Sequence, residues 1–141
     1  MIDIKEINIK SILFIFWIIT LLGCINTSEQ GNFTQTKKEV QLEFLYADWC
    51  VHCNNMKPIV LELARELPPD RFELIMLNEK DIANPKIKEV YEKYTEMGFF
   101  KGFPTFVING ETALVGERSK QDFNLWVCAH FKPPKPTKCS S

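Results

Sequence analysis

Trp49-Cys50-Val51-His52-Cys53 decides how this chain is read, because its two cysteines stand where an apolar strand hands over to a helix. Val40, Leu42, Phe44 and Leu45 form a short apolar run before it, suited to a buried strand. After it, Met56, Ile59, Val60, Leu63 and Leu67 recur at helical spacing, and Pro68-Pro69 ends the helix. A helix N-terminus offers unpaired backbone N–H groups and the positive end of the dipole, and both favour a thiolate, the attacking form of cysteine. Cys50 is expected to cap the helix and lie exposed, with Cys53 one turn in and largely covered. That asymmetry makes Cys50 the nucleophile and Cys53 the resolving thiol of a redox disulfide.

Outward from the motif, the pattern continues as strand, helix, strand, strand, helix. Phe72 to Leu77 is apolar apart from Glu73 and reads as a strand covered on both faces. Asn84-Pro85 is a cap followed by a first-turn proline, opening a helix with Ile87, Val90, Tyr91, Tyr94 and Met97 on one stripe. Thr105 to Ile108 and Thr112 to Val115 flank Asn109-Gly110, a strong hairpin signal. Ser119 then begins a helix that carries Phe123, Trp126 and Val127 inward.

The first 24 residues read as an address. Ser11 to Leu22 is uncharged and almost wholly apolar, with Lys5 and Lys10 before it, and is shorter than the roughly 20 residues that span a bilayer. It ends in Leu21-Leu22-Gly23-Cys24, which resembles the lipobox of prokaryotic lipoproteins. Cleavage before Cys24 would leave a lipidated cysteine as the mature N-terminus; the other possibility is an uncleaved anchor helix. Either tethers the domain to the extracytoplasmic face of the cell membrane. Residues 25–37 are polar and poor in large aliphatics, a flexible tether. The folded domain is expected over 38–131, followed by a proline-rich tail over 132–141.

Of 141 residues, about 105 remain for that one domain, and 45% hydrophobic content supplies a core. A formal net charge of −1 gives no electrostatic case for nucleic acid. The cysteine count is five, and setting Cys24 aside leaves Cys50 with Cys53 and Cys128 with Cys139. A Cys128–Cys139 disulfide would pin the tail to the last helix and suits an oxidising compartment; two unpaired thiols are the alternative.

These residues together resemble the thioredoxin family over about 38–131. Cys50 and Cys53 with Trp49 resemble its active-site motif, Pro58 its helix-kinking proline, and Gly102-Phe103-Pro104-Thr105 the segment that carries its cis-proline. Asn109-Gly110-Glu111, Gly116 and Ser119-Lys120 resemble the closing hairpin and the entry to the last helix. The resemblance implies an α/β fold, a central mixed sheet with helices on both faces, apparently without the extra N-terminal strand and helix of full-length thioredoxins. It also implies a substrate peptide docked on the backbone of Phe103 and Pro104. A cis bond would free that backbone, and beside the two cysteines it is the reading favoured for Pro104; an ordinary strand-start proline is the alternative.

Two departures matter. Thioredoxins carry a buried Asp where this chain has Phe44; the adjacent Glu43 is either a displaced proton acceptor, brought round by a bulge, or a solvated strand-end charge. Reducing thioredoxins have Gly-Pro between the cysteines; this chain has Val51-His52, and a His there resembles the DsbA-type oxidants. Beside the Cys50 sulfur, His52 would stabilise the thiolate and make the couple more oxidising than the ~−270 mV of thioredoxin. Otherwise His52 is simply an exposed histidine.

The function expected is thiol–disulfide oxidoreduction of protein substrates. A mixed disulfide forms at Cys50, Trp49 shields the sulfur, and Cys53 resolves the adduct. No cofactor is required, a monomer suffices, and an unidentified redox partner recharges the site. The alternatives are a metal-binding or metallochaperone domain, for which Cys50 and Cys53 supply half a site, and a binding module without turnover. No second CxxC or spaced His pair completes a metal site.

Overall fold

The structure, a computed structural model, describes residues 37–140. The expected signal segment, the Cys24 lipidation site and nearly all of the expected tether lie outside the described residues, as would any extra N-terminal strand and helix. Among the described residues, four strands form one mixed sheet: β1 (Val40–Tyr46), β2 (Phe72–Asn78), β3 (Thr105–Ile108) and β4 (Thr112–Val115). Their order across the sheet is β2-β1-β3-β4. β2 runs parallel to β1, from Val40 opposite Phe72 to Tyr46 opposite Asn78. β3 is antiparallel to β1 and β4 to β3. The parallel pair needs a crossover, which α1 (Val51–Glu66) provides. α2 (Pro85–Glu96) leads from β2 to β3, and α3 (Lys120–Ala129) follows β4.

Alternation along β1 creates two cores. Val40, Leu42 and Phe44 face one way, packing with Met56, Val60 and Leu63 of α1, Phe106 of β3, and Phe123 and Val127 of α3. Leu45 faces the other way with Leu77, Val107, Tyr91 and Tyr94 of α2. Helices therefore cover both faces. The first core is built on rings: Phe106 stacks 4.8 Å from Phe44 and lies 4.8 Å from Phe123. Truncating such a buried ring to alanine costs about 3–5 kcal/mol.

Local chemistry fixes the ends of the elements. Asn84 accepts from Lys86 N–H to cap α2, and Ser119 accepts from Asp122 N–H to cap α3. Asn109 and Gly110 both adopt positive φ, 55° and 70°, which suits the tight turn between β3 and β4. Asn109 also extends the sheet: its Oδ1 accepts from Gln41 N–H and its Nδ2 donates to the Glu39 carbonyl.

β2 is covered on both faces, Phe72, Leu74 and Met76 packing with the first core and Ile75 and Leu77 with the second; as an edge strand with only β1 beside it, it leaves Glu73 exposed and Leu74, Ile75 and Met76 half-buried. One sequence expectation needs correction. Met97 does not continue the buried stripe of α2; it is the C-cap and is exposed.

The tail is tied down. Cys128, in the last turn of α3, is disulfide-bonded to Cys139, with their Cα atoms 5.3 Å apart. Arg71 donates to the carbonyls of Pro134 and Lys132 at 2.7 and 3.0 Å, and its Nε lies 2.6 Å from Glu39. Chain end, strand start and the turn before β2 thus share one guanidinium.

Candidate active site

Both cysteines sit at the start of α1. Cys50 is the N-cap residue, with extended backbone, and its sulfur accepts from Cys53 N–H at 3.2 Å. The thiol thus takes the place a Ser or Asp oxygen usually takes, satisfying an N–H that has no partner inside the helix. Cys53 leads a buried stripe that continues through Met56, Val60 and Leu63. Both are free thiols.

Coverage differs from expectation. Cys50 is only 6% exposed, against 1% for Cys53; the solvent exposure falls on its neighbours, Trp49 at 71% and Val51 at 68%. Capping turns the Cys50 sulfur toward Cys53 N–H, and the side chain lies within the larger core cluster. The electrostatic asymmetry rests on burial. Desolvation, followed by the hydrogen bond with Cys50, pushes the Cys53 thiol from 9.0 up to about 12, so it stays protonated at neutral pH.

The peptide bond between Phe103 and Pro104 is cis. Trp49 reaches this loop, its ring meeting Phe103 edge-on at 5.8 Å. Behind Phe103, Phe100 and Tyr91 complete an aromatic run, with centroids 5.1 and 6.2 Å from the Phe103 ring. Trp49 is steadied from below: its indole N–H donates to Glu79 Oε2 at 2.8 Å, and Lys80 pairs with Asp48 at 3.0 Å. Both partners come from the short 3-10 turn Glu79–Asp81 that follows β2.

His52 is exposed, and its Nδ1 lies 2.6 Å from Glu117 Oε2, in the loop between β4 and α3. Asn55 donates to the other Glu117 oxygen at 3.0 Å. Glu117, Asn55 and Glu79 carry no local sequence signal; the first bond joins residues 65 apart.

Glu43 fits neither sequence expectation. The β1–β2 register runs without a bulge, so Glu43 projects to the face opposite Phe44, away from the core that holds Cys50 and Cys53. There it accepts a hydrogen bond from Tyr94, part-buried and not solvated. Burial first, then this bond, raises the Tyr94 hydroxyl above its ordinary value. Lys57 lies over the Tyr46 ring at 4.8 Å. Among the described residues no group of three or more His, Cys, Asp and Glu side chains is placed to hold a metal ion, and no helix is long and apolar enough to cross a membrane.

Fold and paired thiols together define the class, a redox domain whose CxxC opens a helix beside a cis-proline loop. Residues 25–128 match the family model described as Thioredoxin, and the chain belongs to the thioredoxin family. Thioredoxin of Methanocaldococcus jannaschii is 32% identical over 83 residues, which are 59% of this chain and 86% of that protein. Protein disulfide isomerase-like 1-1 of Arabidopsis thaliana is 33% identical over 94 residues, 64% of this chain but only 17% of that protein's length. Among solved structures, a mutant thioredoxin from Halobacterium salinarum NRC-1 superposes with a TM-score of 0.51 at 22% identity, over 67% of this chain and 77% of its own. HBP35 of Porphyromonas gingivalis gives 0.56 at 18% identity, over 70% of this chain and 34% of its own. At those identities the structural likeness is one of fold.

Proposed function

We propose that this chain is a membrane-tethered, extracytoplasmic thiol–disulfide oxidoreductase acting on protein thiols and disulfides. The observation that carries the chemistry is the capping of α1 by the Cys50 sulfur, with a protonated Cys53 one turn deeper. As a reductant, the Cys50 thiolate attacks a substrate disulfide, forming a mixed disulfide and releasing one substrate thiolate. Cys53 then gives up its proton and attacks the Cys50 sulfur, releasing the second substrate thiol and leaving Cys50–Cys53 oxidised. Oxidation of a substrate dithiol is the same sequence reversed. Phe103 and Pro104 are the docking backbone for the substrate, and Trp49 is the apolar platform beside it.

An insulin-reduction assay on wild type and Cys53→Ser tests this. Wild type should turn over, and Cys53→Ser should accumulate mixed disulfides through Cys50. A Cys53→Ser protein that traps nothing, beside an inactive wild type, would sink the reading.

The tether rests on the apolar segment over residues 11–22 and on Leu21-Leu22-Gly23-Cys24. Mass spectrometry of the mature protein should find the chain starting at a lipidated Cys24; an intact Met1 without lipid would exclude lipidation. The couple is proposed to be more oxidising than thioredoxin, on the strength of Val51-His52 in place of Gly-Pro. Equilibration with glutathione should give a potential above ~−270 mV, and a value at or below it would count against the proposal.

A further inference from the structure

The loop after β4 is bonded to both halves of the site. Gly116, at φ +88°, turns the chain so that its N–H donates to the Pro104 carbonyl at 2.8 Å. Glu117 then spans two α1 residues, His52 through Oε2 and Asn55 through Oε1. Arg118 N–H follows, meeting Met56 Sδ at 3.4 Å. Residues 52, 55 and 56 share one side of the helix, so the loop lies along it. The hydrogen bond from His52, and next that from Asn55, hold the Glu117 carboxyl below the usual carboxylate range. A carboxylate only accepts, so His52 Nδ1 carries the hydrogen, and Nε2 is the nitrogen left for other work.

We propose that Glu117 is a positioning residue for the redox centre: it fixes the His52 ring beside the helix start and so sets how fast Cys50 reacts, while bonding to neither sulfur. The proposal rests on reading Cys50 as the nucleophile. The His52 side chain is 67% exposed, so without a partner it would range over several rotamers. Doubly protonated, it is the cation nearest to Cys50 along the chain, and its attraction for a thiolate depends on where it is held. Glu117 and Asn55 define that place from one side, and the loop that carries Glu117 is fixed by Pro104 from the other. Substrate docking and thiol reactivity are thereby coupled through three consecutive residues.

The test is a double-mutant cycle on the reduced full chain, reading iodoacetamide alkylation of Cys50 by peptide mass spectrometry. Glu117→Gln should slow Cys50 about threefold or more when His52 is present and leave it unslowed in a His52→Ala background. Asn55→Ala should slow it less. Long-range proton–nitrogen NMR should place the His52 ring proton on Nδ1 in wild type and lose that preference in Glu117→Gln. Equal slowing in both backgrounds, no slowing in either, or an unchanged tautomer would overturn the proposal. Should Glu117→Gln lose its native circular dichroism, the Asn55→Ala cycle with His52→Ala decides in its place. Alkylation needs no protein substrate, so failure of wild type to reduce insulin would remove the oxidoreductase reading and leave the Glu117 result standing.

Discussion

Cys50 of one cysteine pair and Cys128 of the other are equally hidden and differently placed. Cys50 and Cys128 are each 6% exposed, so accessibility alone does not separate a working thiol from a structural one. Helix polarity does. Cys50 caps the N-terminus of α1, where dipole and free N–H groups favour a thiolate; Cys128 lies in the last turn of α3, where the dipole opposes one. The loops differ as well. Cys50 and Cys53 are separated by one helical turn and are placed for exchange, while Cys128 and Cys139 span 11 residues and hold a tail that Arg71 also grips. A thiol at a helix start is set up to exchange, and one at a helix end is set up to stay joined.

Activity should break this comparison open first. Cys50→Ser should fall to background in insulin reduction, whereas the Cys128→Ser/Cys139→Ser double variant should keep most of its rate at about 25 °C. Comparable loss in both would show that the tail disulfide takes part in turnover.

Stability should respond in the opposite sense. Opening the Cys128–Cys139 loop restores chain entropy to the unfolded state, about 3 kcal/mol for a loop of this length. Urea denaturation of the double variant should show that loss; a change under about 1 kcal/mol would mean that Arg71 and its carbonyl partners alone hold the tail.

A smaller difference should appear in alkali. Unfolded Cys53 ionises near 9.0, whereas burial keeps the folded thiol protonated up to about 12. Its contribution is therefore complete below an unfolded value of 9.0 and is lost as pH rises from there towards about 12. Reduced wild type should lose stability faster than Cys53→Ser over that window. The joined pair adds nothing to this slope, because disulfide sulfurs do not titrate. Parallel curves for the two proteins would contradict the buried-thiol assignment.

The smallest kinetic effect belongs to Glu43. Bonded to Tyr94 on the sheet face away from the cysteines, it should not serve as their proton acceptor. Glu43→Gln should leave the pH–rate profile of exchange unchanged; an altered profile would mean that the carboxylate reaches Cys53 in the working protein.

Much of the fold was legible because its signals are local. Alternation in β1, the stripe from Met56 to Leu63, Asn84-Pro85, Asn109-Gly110 and Ser119 each encode a conformation within a few residues. The gaps came where a neighbour decided. Nothing in residues 72–77 says that β2 has a partner on one side only, since an apolar run reads alike at an edge and at a centre. Cys50 looked exposed because its role as a cap was legible but the direction of its side chain was not.

The sequence by itself determined the spacing of Cys50 and Cys53, the helix they open and its neighbours' caps, since these are set by bonds between residues close along the chain; the proline loop was legible through the family resemblance. Tertiary structure alone decided what His52 and Glu43 do. Glu117 reaches His52 across 65 residues, and Tyr94 reaches Glu43 across 51, so only the closed sheet and its packed helices could bring either partner within hydrogen-bond range.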